Sequence, residues 1–440
     1  MRSYSSFRPE LWLVFGFLSL IAAGALALWS IGILKSMPID FLDALFTSTS
    51  AVCVTGLSTI DIGRDLPTAS QVVLLMLIQI GGLGVMTATT AFAVVLGARI
   101  SIKGRLIWAG SMGLDTPQGA VKLLIRVFVI SLFAEALMSV PLFLGFLQTE
   151  PVGRAAYMAV FHSISAFCNA GFSPYSNSLV DFSSNFLVMI PITLLIVVGG
   201  MGFPVVDDVI MCVKLRRWRP SPYSRVVLKS TFWLIVLGSL LLFLSEFNGA
   251  MRGMPFSEKV MNAVFHSVTP RTAGFNSLPM TSLSGLSLVF TVFLMWVGAS
   301  PSSTGGGVKT TTLAVLWASC VSEVRGLGEV RLEGRSVDSR LQRKALTVSM
   351  LYTLAIFIAV CLLTVFEPLP TSTLIFEAFS AMGTVGLSLG ITSKLTPEGK
   401  LILILLMYWG RVGIVTFMYS LFRRHVPGRV LLPGINMPIG

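Results

Sequence analysis

Phe46–Ser58 reads FTSTSAVCVTGLS, and the phrase returns three times: FHSISAFCNAGFS at Phe161–Ser173, FHSVTPRTAGFN at Phe265–Asn276 and FEAFSAMGTVGLS at Phe376–Ser388. Each copy ends in glycine, then Leu or Phe, then Ser or Asn; the glycines are Gly56, Gly171, Gly274 and Gly386. A phenylalanine opens each copy, ten residues before the glycine in three of them and nine in the third. A second signature follows: IGGLG (Ile80–Gly84), VGGMG (Val198–Gly202), VGAS (Val297–Ser300) and WGRVG (Trp409–Gly413). From the first glycine to Gly81, Gly199, Gly298 and Gly410 the separations are 25, 28, 24 and 24 residues. Two signatures held in register four times mark an internal repeat.

The chain around these copies is built for lipid. Of its 440 residues 54% are apolar and only 12% charged, too few charges for a soluble domain of this length. Leu11–Leu34, Leu66–Ala98, Leu283–Val308 and Ala345–Phe366 hold no Asp, Glu, Lys or Arg, and a membrane helix needs about 20 such residues. The first window is long for a signal-peptide core and reads as a retained helix. The net charge of +12 is not spread as a nucleic-acid surface would be. Basic residues crowd alternate loops, around Arg99–Arg105, Lys214–Lys229, Arg325–Lys344 and Arg423–Arg429. That alternation is the positive-inside bias, with both termini cytoplasmic. Cys53, Cys168, Cys212, Cys320 and Cys361 show no pairing pattern, and three histidines are too few and too separate for a metal cluster.

Each repeat therefore reads as a long helix, a short segment with a glycine turn, and a second long helix. The expected first helices are Leu11–Leu34, Leu123–Phe146, Val226–Glu246 and Ala345–Phe366; the second are Ser70–Leu96, Phe186–Lys214, Ser282–Val324 and Gly399–Phe422. The predicted fold is all-α and integral to the membrane, with eight spanning helices and four re-entrant loops around one ion pathway. The repeats take residues 1–98, 120–214, 225–324 and 341–424, followed by a tail, 425–440. Their loops fall near 51–58, 166–173, 269–276 and 381–388. A middle segment of about a dozen residues is too short to span, and irregular backbone at that depth must be buried in protein or line water.

Such loops suit one chemistry. A ring of backbone carbonyls can replace the water shell of an alkali cation, and glycine gives the dihedrals this needs. The candidate filter is Cys53-Val54-Thr55-Gly56, Cys168-Asn169-Ala170-Gly171, Arg271-Thr272-Ala273-Gly274 and Gly383-Thr384-Val385-Gly386. Each short helix before it would aim its negative end at the cavity. No acidic residue lies at the narrowest part, which disfavours a carboxylate filter for divalent ions. Close helix packing explains GGLG and GGMG equally well.

The phrases VCVTGLS, FCNAGFS, TPRTAGFN, GTVGLS, GGGVKTTT and GRVG resemble those of the Trk/Ktr/HKT superfamily of potassium transporters, over nearly the whole chain. Eight expected spans without an extra amino-terminal pair make it more similar to the Ktr-type membrane subunits than to longer Trk-type ones. The resemblance implies a filter glycine per repeat, hence K+ at the carbonyls of Gly56, Gly171, Gly274 and Gly386, and potassium preference from Gly56. It implies a homodimer and a cytoplasmic nucleotide-binding regulatory ring of the KtrA or TrkA type, in the cytoplasmic (inner) membrane. No tightly bound cofactor is implied; K+ is the cargo. The basic loops suit that ring and anionic lipid alike.

Between Gly298 and Thr312 the third repeat breaks its own helix, with Pro301, Ser302, Ser303, Thr304, Gly305, Gly306 and Gly307 ahead of Lys309. The resemblance implies an intramembrane gate there; a static kink is the plainer alternative. Val308 precedes Lys309, so the P-loop pattern fails. Arg411 stands where the other repeats have Gly82, Gly200 and Ala299. A guanidinium below the filter would raise a barrier to cations and bond the loop carbonyls; alternatively it pairs with Glu377 or Glu135. His162 and His266 read as local hydrogen-bonding residues, Glu377 as a vestibule residue, and Asp207 and Asp208 as solvated. No nucleophile–base or metal constellation argues for an enzyme. A sodium- or proton-coupled symporter of the same fold remains the rival reading.

Overall fold

A computed structural model of the chain describes residues 9–84, 120–216, 219–414 and 417–418. The expected basic loop at Arg99–Arg105, the end of the first repeat, the basic group Arg423–Arg429 and the tail 425–440 lie outside the described residues.

Helices make up most of the described chain, with very little strand. The first helices of the four repeats are α1 (Pro9–Leu34), α4 (Ala120–Phe146), α8 (Pro222–Glu246) and α12 (Ser339–Phe366). All are long and apolar enough to cross a membrane. Their outward faces are apolar too, with Phe15, Phe133, Phe232 and Phe357 more than half exposed. Water would not tolerate such a surface and lipid does. Each first helix lies against the short helix that follows it: α2 (Phe41–Val52), α5 (Val152–Phe167), α9 (Phe256–Val268) and α13 (Thr371–Gly383). Asp40 accepts from Leu42 N at the start of α2, while Pro151, Pro255 and Pro370 begin the other three with a fixed φ.

The second helices differ from the sequence expectation. Helix α3 is Thr68–Leu83, α6 (Phe186–Gly200) turns by 104° into α7 (Phe203–Lys214), and α14 is Pro397–Val412. In the third repeat α10 (Gly285–Trp296) and α11 (Thr310–Val324) are separated by the Pro/Gly loop. The expected unbroken helices 70–96, 186–214 and 399–422 are thus interrupted as well. The break sits each time on the last glycine of the second signature, Gly84, Gly202 and Gly413, at φ of 86°, 89° and 87°. Only glycine adopts that backbone without strain. A two-stranded hairpin, β1 (Arg331–Leu332) with β2 (Arg335–Ser336), joins α11 to α12.

The packing closes on itself. Helix α3 lies against α5, α6 against α9, α10 against α13, and α14 against α2. Each second helix therefore touches the short helix of the next repeat, and the fourth returns to the first. An ion pair ties this last junction: Lys400 Nζ on α14 lies 2.5 Å from Asp43 Oδ1 on α2.

Candidate functional site

The four short helices end just before the four candidate segments, and each segment then folds back on its helix. Thr55 N donates to Ser50 O at 2.7 Å, Ala170 N to Ser165 O at 2.7 Å, Val385 N to Ser380 O at 2.8 Å and Gly274 N to Thr269 O at 3.3 Å. The residue two before the glycine is left-handed in every copy: Val54 at φ 57°, Asn169 at 58°, Thr272 at 82° and Thr384 at 50°. A non-glycine residue there costs about 1 kcal/mol. Four such residues at one repeat position mean that the surrounding fold imposes the turn. The glycines follow at φ 92°, 67°, 79° and 95°.

A hydroxyl braces each turn. Ser50 Oγ accepts from Gly56 N at 3.0 Å and Ser380 Oγ from Gly386 N at 3.1 Å. Ser165 Oγ donates to Phe172 O at 2.9 Å, and Thr269 Oγ1 to Phe275 O at 2.7 Å. Sequence reasoning missed these four residues, although a hydroxyl six residues before the glycine (five in the third copy) recurs in every copy.

The glycines meet in a closed circle. A Cβ on Gly56 would overlap Ala170 O and crowd Gly171; one on Gly171 would overlap Ala273 O and crowd Gly274. One on Gly274 would overlap Val385 O and crowd Gly386, and one on Gly386 would overlap Thr55 O and crowd Gly56. The structure thus brings together all four candidate segments, although they lie far apart in sequence. All four glycines also line one cavity of about 500 Å³, whose wall includes Asp61, Asp65, Tyr175, Ser388 and Thr392. Burial, with Glu150 beside it, pushes the Tyr175 phenol up. Cys53 and Cys168 cap α2 and α5, and Cys168 Sγ reaches Gln79 Oε1 at 3.4 Å. Arg271 is buried, its Nε without a partner among the described residues.

The third-repeat loop packs on the other end of the same segments. Thr304 N donates to Gly199 O, Ser300 N to Gly200 O and Phe203 N to Ser302 O. Gly306 N donates to Thr384 Oγ1 at 3.0 Å, and Thr304 Oγ1 to Phe167 O at 3.3 Å. Gly305 lies so close to Thr272 that a Cβ would collide with its hydroxyl. Ser303 Oγ donates back to Ser300 O at 2.6 Å. Lys309 Nζ bonds Gly305 O at 2.8 Å and Gly306 O at 3.2 Å. Arg411 donates to Thr304 O, Gly81 O and Gly82 O. Two basic side chains are therefore held by main-chain oxygens around Thr304–Gly306.

The carboxylate alternative for Arg411 is not what the structure contains. Glu135 accepts from Gln79 Nε2 at 3.0 and 3.3 Å, and Glu377 accepts from Ser388 and Thr392. Glu377 itself is fully buried behind the cavity wall, because its helix turns it inward. Asp207 pairs with Arg126 at 3.0 Å, and Asp208 accepts from Ser221 N at 2.8 Å, so neither is simply solvated. Among the described residues no cluster of His, Cys, Asp and Glu could hold a metal ion. The second-signature glycines serve close packing: a Cβ on Gly81, Gly199 or Gly410 would overlap Val52 O, Phe167 O or Met382 O.

Long lipid-facing helices closed around four packed main-chain turns define an integral membrane protein of the transporter class. The chain belongs to the TrkH family of cation transport proteins, whose family model matches residues 13–427. It is similar to the Ktr system potassium uptake protein B of Bacillus subtilis, at 36% identity over 94% of this chain and 93% of that one. The Potassium/sodium uptake protein NtpJ of Enterococcus hirae is 36% identical over 87% of this chain and 85% of its own. The crystal structure of the potassium transporter TrkH from Vibrio parahaemolyticus has the same fold, with a TM-score of 0.78 at 20% identity, covering 96% of this chain and 86% of that one.

Proposed function

We propose that this protein takes up potassium across the cytoplasmic membrane, as the ion-translocating subunit of a Ktr-type system. The observation that carries the reading is the closed circle of Gly56, Gly171, Gly274 and Gly386. Its turns present main-chain oxygens without side-chain obstruction, the means by which a protein replaces an alkali cation's water. The filter comprises residues 53–56, 168–171, 271–274 and 383–386, with K+ held by the carbonyls. The C-terminal ends of α2, α5, α9 and α13 add negative potential there. Eight helices, counting the bent and broken ones once, cross the membrane with both termini cytoplasmic. The loop of Ser302–Gly307 with Lys309 closes the pathway below the filter, and Arg411 pins that closure while opposing cation passage. The protein works as a homodimer on a cytoplasmic nucleotide-binding ring. Names of relatives that specify potassium uptake support the substrate.

Uptake in cells stripped of their own potassium systems tests this, with lithium, sodium, rubidium and ammonium as competitors. Rubidium should compete with potassium, and sodium and lithium should compete poorly. No uptake, or a preference for sodium, would refute the assignment.

A coupled cation symporter is the second reading. It is favoured by the potassium/sodium relative and by Glu135, a buried carboxyl within a spanning helix whose side chain is joined to Gln79. Proton or sodium movement accompanying uptake in liposomes would favour it over channel-like flux.

A further inference from the structure

The residue after the opening phenylalanine is Thr47, His162, His266 or Glu377. All four are buried, the most exposed at 2%. The residue two beyond each filter glycine is Ser58, Ser173, Asn276 or Ser388, and these four line the same cavity. In the second repeat His162 Nε2 bonds Ser173 Oγ at 2.9 Å. In the fourth, Ser388 Oγ donates to Glu377 Oε1. Both bonds join residues eleven apart, so they are the same contact in two repeats. Thr392 Oγ1 adds a second bond to Glu377 Oε1 at 3.0 Å, and Gly390 N donates to Ser388 Oγ at 2.9 Å.

The other two repeats lack the contact. Thr47 Oγ1 has no partner among the described residues, and Ser58 Oγ donates instead to Ile60 O at 2.7 Å. His266 Nε2 and Asn276 Oδ1 are both buried without a partner among the described residues. The circle runs through the repeats in order, so the two that make the contact face each other across it.

We propose that His162 through Ser173, and Glu377 through Ser388, act as paired struts that fix the outer lip of the filter on opposite sides. They are positioning residues: neither reaches the glycine carbonyls, and each acts through a hydroxyl two residues beyond the glycine. The carboxyl of Glu377 is the stronger strut. It gathers two hydroxyls on one oxygen, where His162 offers one ring nitrogen to one hydroxyl. A filter held on one diagonal keeps its spacing for a large cation; with the lip released, the carbonyls follow a smaller ion inward and discrimination falls. The inference rests on the potassium-filter reading above.

The test is the potassium-to-sodium transport ratio in liposomes, corrected for the amount of reconstituted protein. Glu377→Ala and Ser388→Ala should each lower the ratio about fivefold, the size expected for losing one ordinary hydrogen bond. The double variant should fall no further than the worse single one, since both remove one contact. Glu377→Gln keeps an acceptor for Ser388 and Thr392 and should retain most of the ratio. A merely structural role would lower protein yield and leave the ratio alone. Wild-type ratios in both alanine variants would overturn the proposal, as would a glutamine variant no better than alanine. If Glu377→Ala does not fold, Ser388→Ala decides by itself. Wild-type protein that carries no potassium would sink the filter reading instead, a result distinct from wild-type transport with indifferent variants.

Discussion

Placing a single methyl group on the glycine circle, as Gly386→Ala, separates two effects that usually travel together. The first is backbone strain. Gly386 has φ 95°, where an L-residue with a Cβ is disfavoured by about 1–2 kcal/mol. The second is collision. The new Cβ would lie 3.0 Å from Gly56 Cα and 3.2 Å from Gly56 C, and nearer still to Thr55 O. Carbon atoms rest at about 3.5–4.0 Å, so the fourth and first repeats must part by roughly 0.5–1 Å. That is a large displacement for carbonyls proposed to match an ion's radius. Gly253 supplies the control. Its φ is 85°, nearly the same, but a Cβ there meets nothing within 4 Å. Gly253→Ala therefore carries the strain without the collision. Both variants should lose about 1–2 kcal/mol of stability from the dihedral, seen as a drop in melting temperature in detergent. Only Gly386→Ala should lose discrimination between potassium and sodium, measured as uptake with sodium competitor in cells without other potassium systems. Normal discrimination in Gly386→Ala, or equal loss in Gly253→Ala, would show that the circle is not what selects the ion.

Three further outcomes are expected. Arg411→Gln removes a charge bonded to Thr304 O, Gly81 O and Gly82 O; potassium flux per protein should rise severalfold, and unchanged flux would count against a barrier at that position. Ser380→Ala strips Gly386 N of its hydroxyl partner, a loss of about 1 kcal/mol, and should lower the potassium-to-sodium ratio with little change in protein yield. Lys400→Ala leaves Asp43 without its cation at a junction where the two side chains are only 14% and 18% exposed. It should cost roughly 2 kcal/mol of stability, read as a lower melting temperature that Asp43→Asn in the same chain partly restores.

Hydropathy marks the ends of the four long first helices, Pro9–Leu34, Ala120–Phe146, Pro222–Glu246 and Ser339–Phe366, and places their starts two to six residues late. It does so because burial in lipid acts on each segment locally, residue by residue. The break at Pro301–Gly307 is equally plain in the sequence, since proline and a run of glycines weaken a helix wherever they occur. The breaks at Gly84, Gly202 and Gly413 are not. Two or three glycines in an apolar run are compatible with a continuous membrane helix, and only the neighbours decide whether one adopts positive φ.

The candidate site divides along the same line. Repetition picks out Gly56, Gly171, Gly274 and Gly386, because a repeated constraint leaves a repeated residue. It does not say which repeat stands beside which, that Arg411 spends its donors on carbonyls and not on Glu135 or Glu377, or that Ser50, Ser165, Thr269 and Ser380 brace the turns. A hydroxyl has no fixed partner until the chain folds back upon it. By itself, then, the sequence determined that four alike units with long apolar helices and glycine turns would enter a membrane. The tertiary structure alone decided their circular order and the fit of each glycine against the next, because those contacts join segments far apart along the chain and depend on the packing of every helix between them.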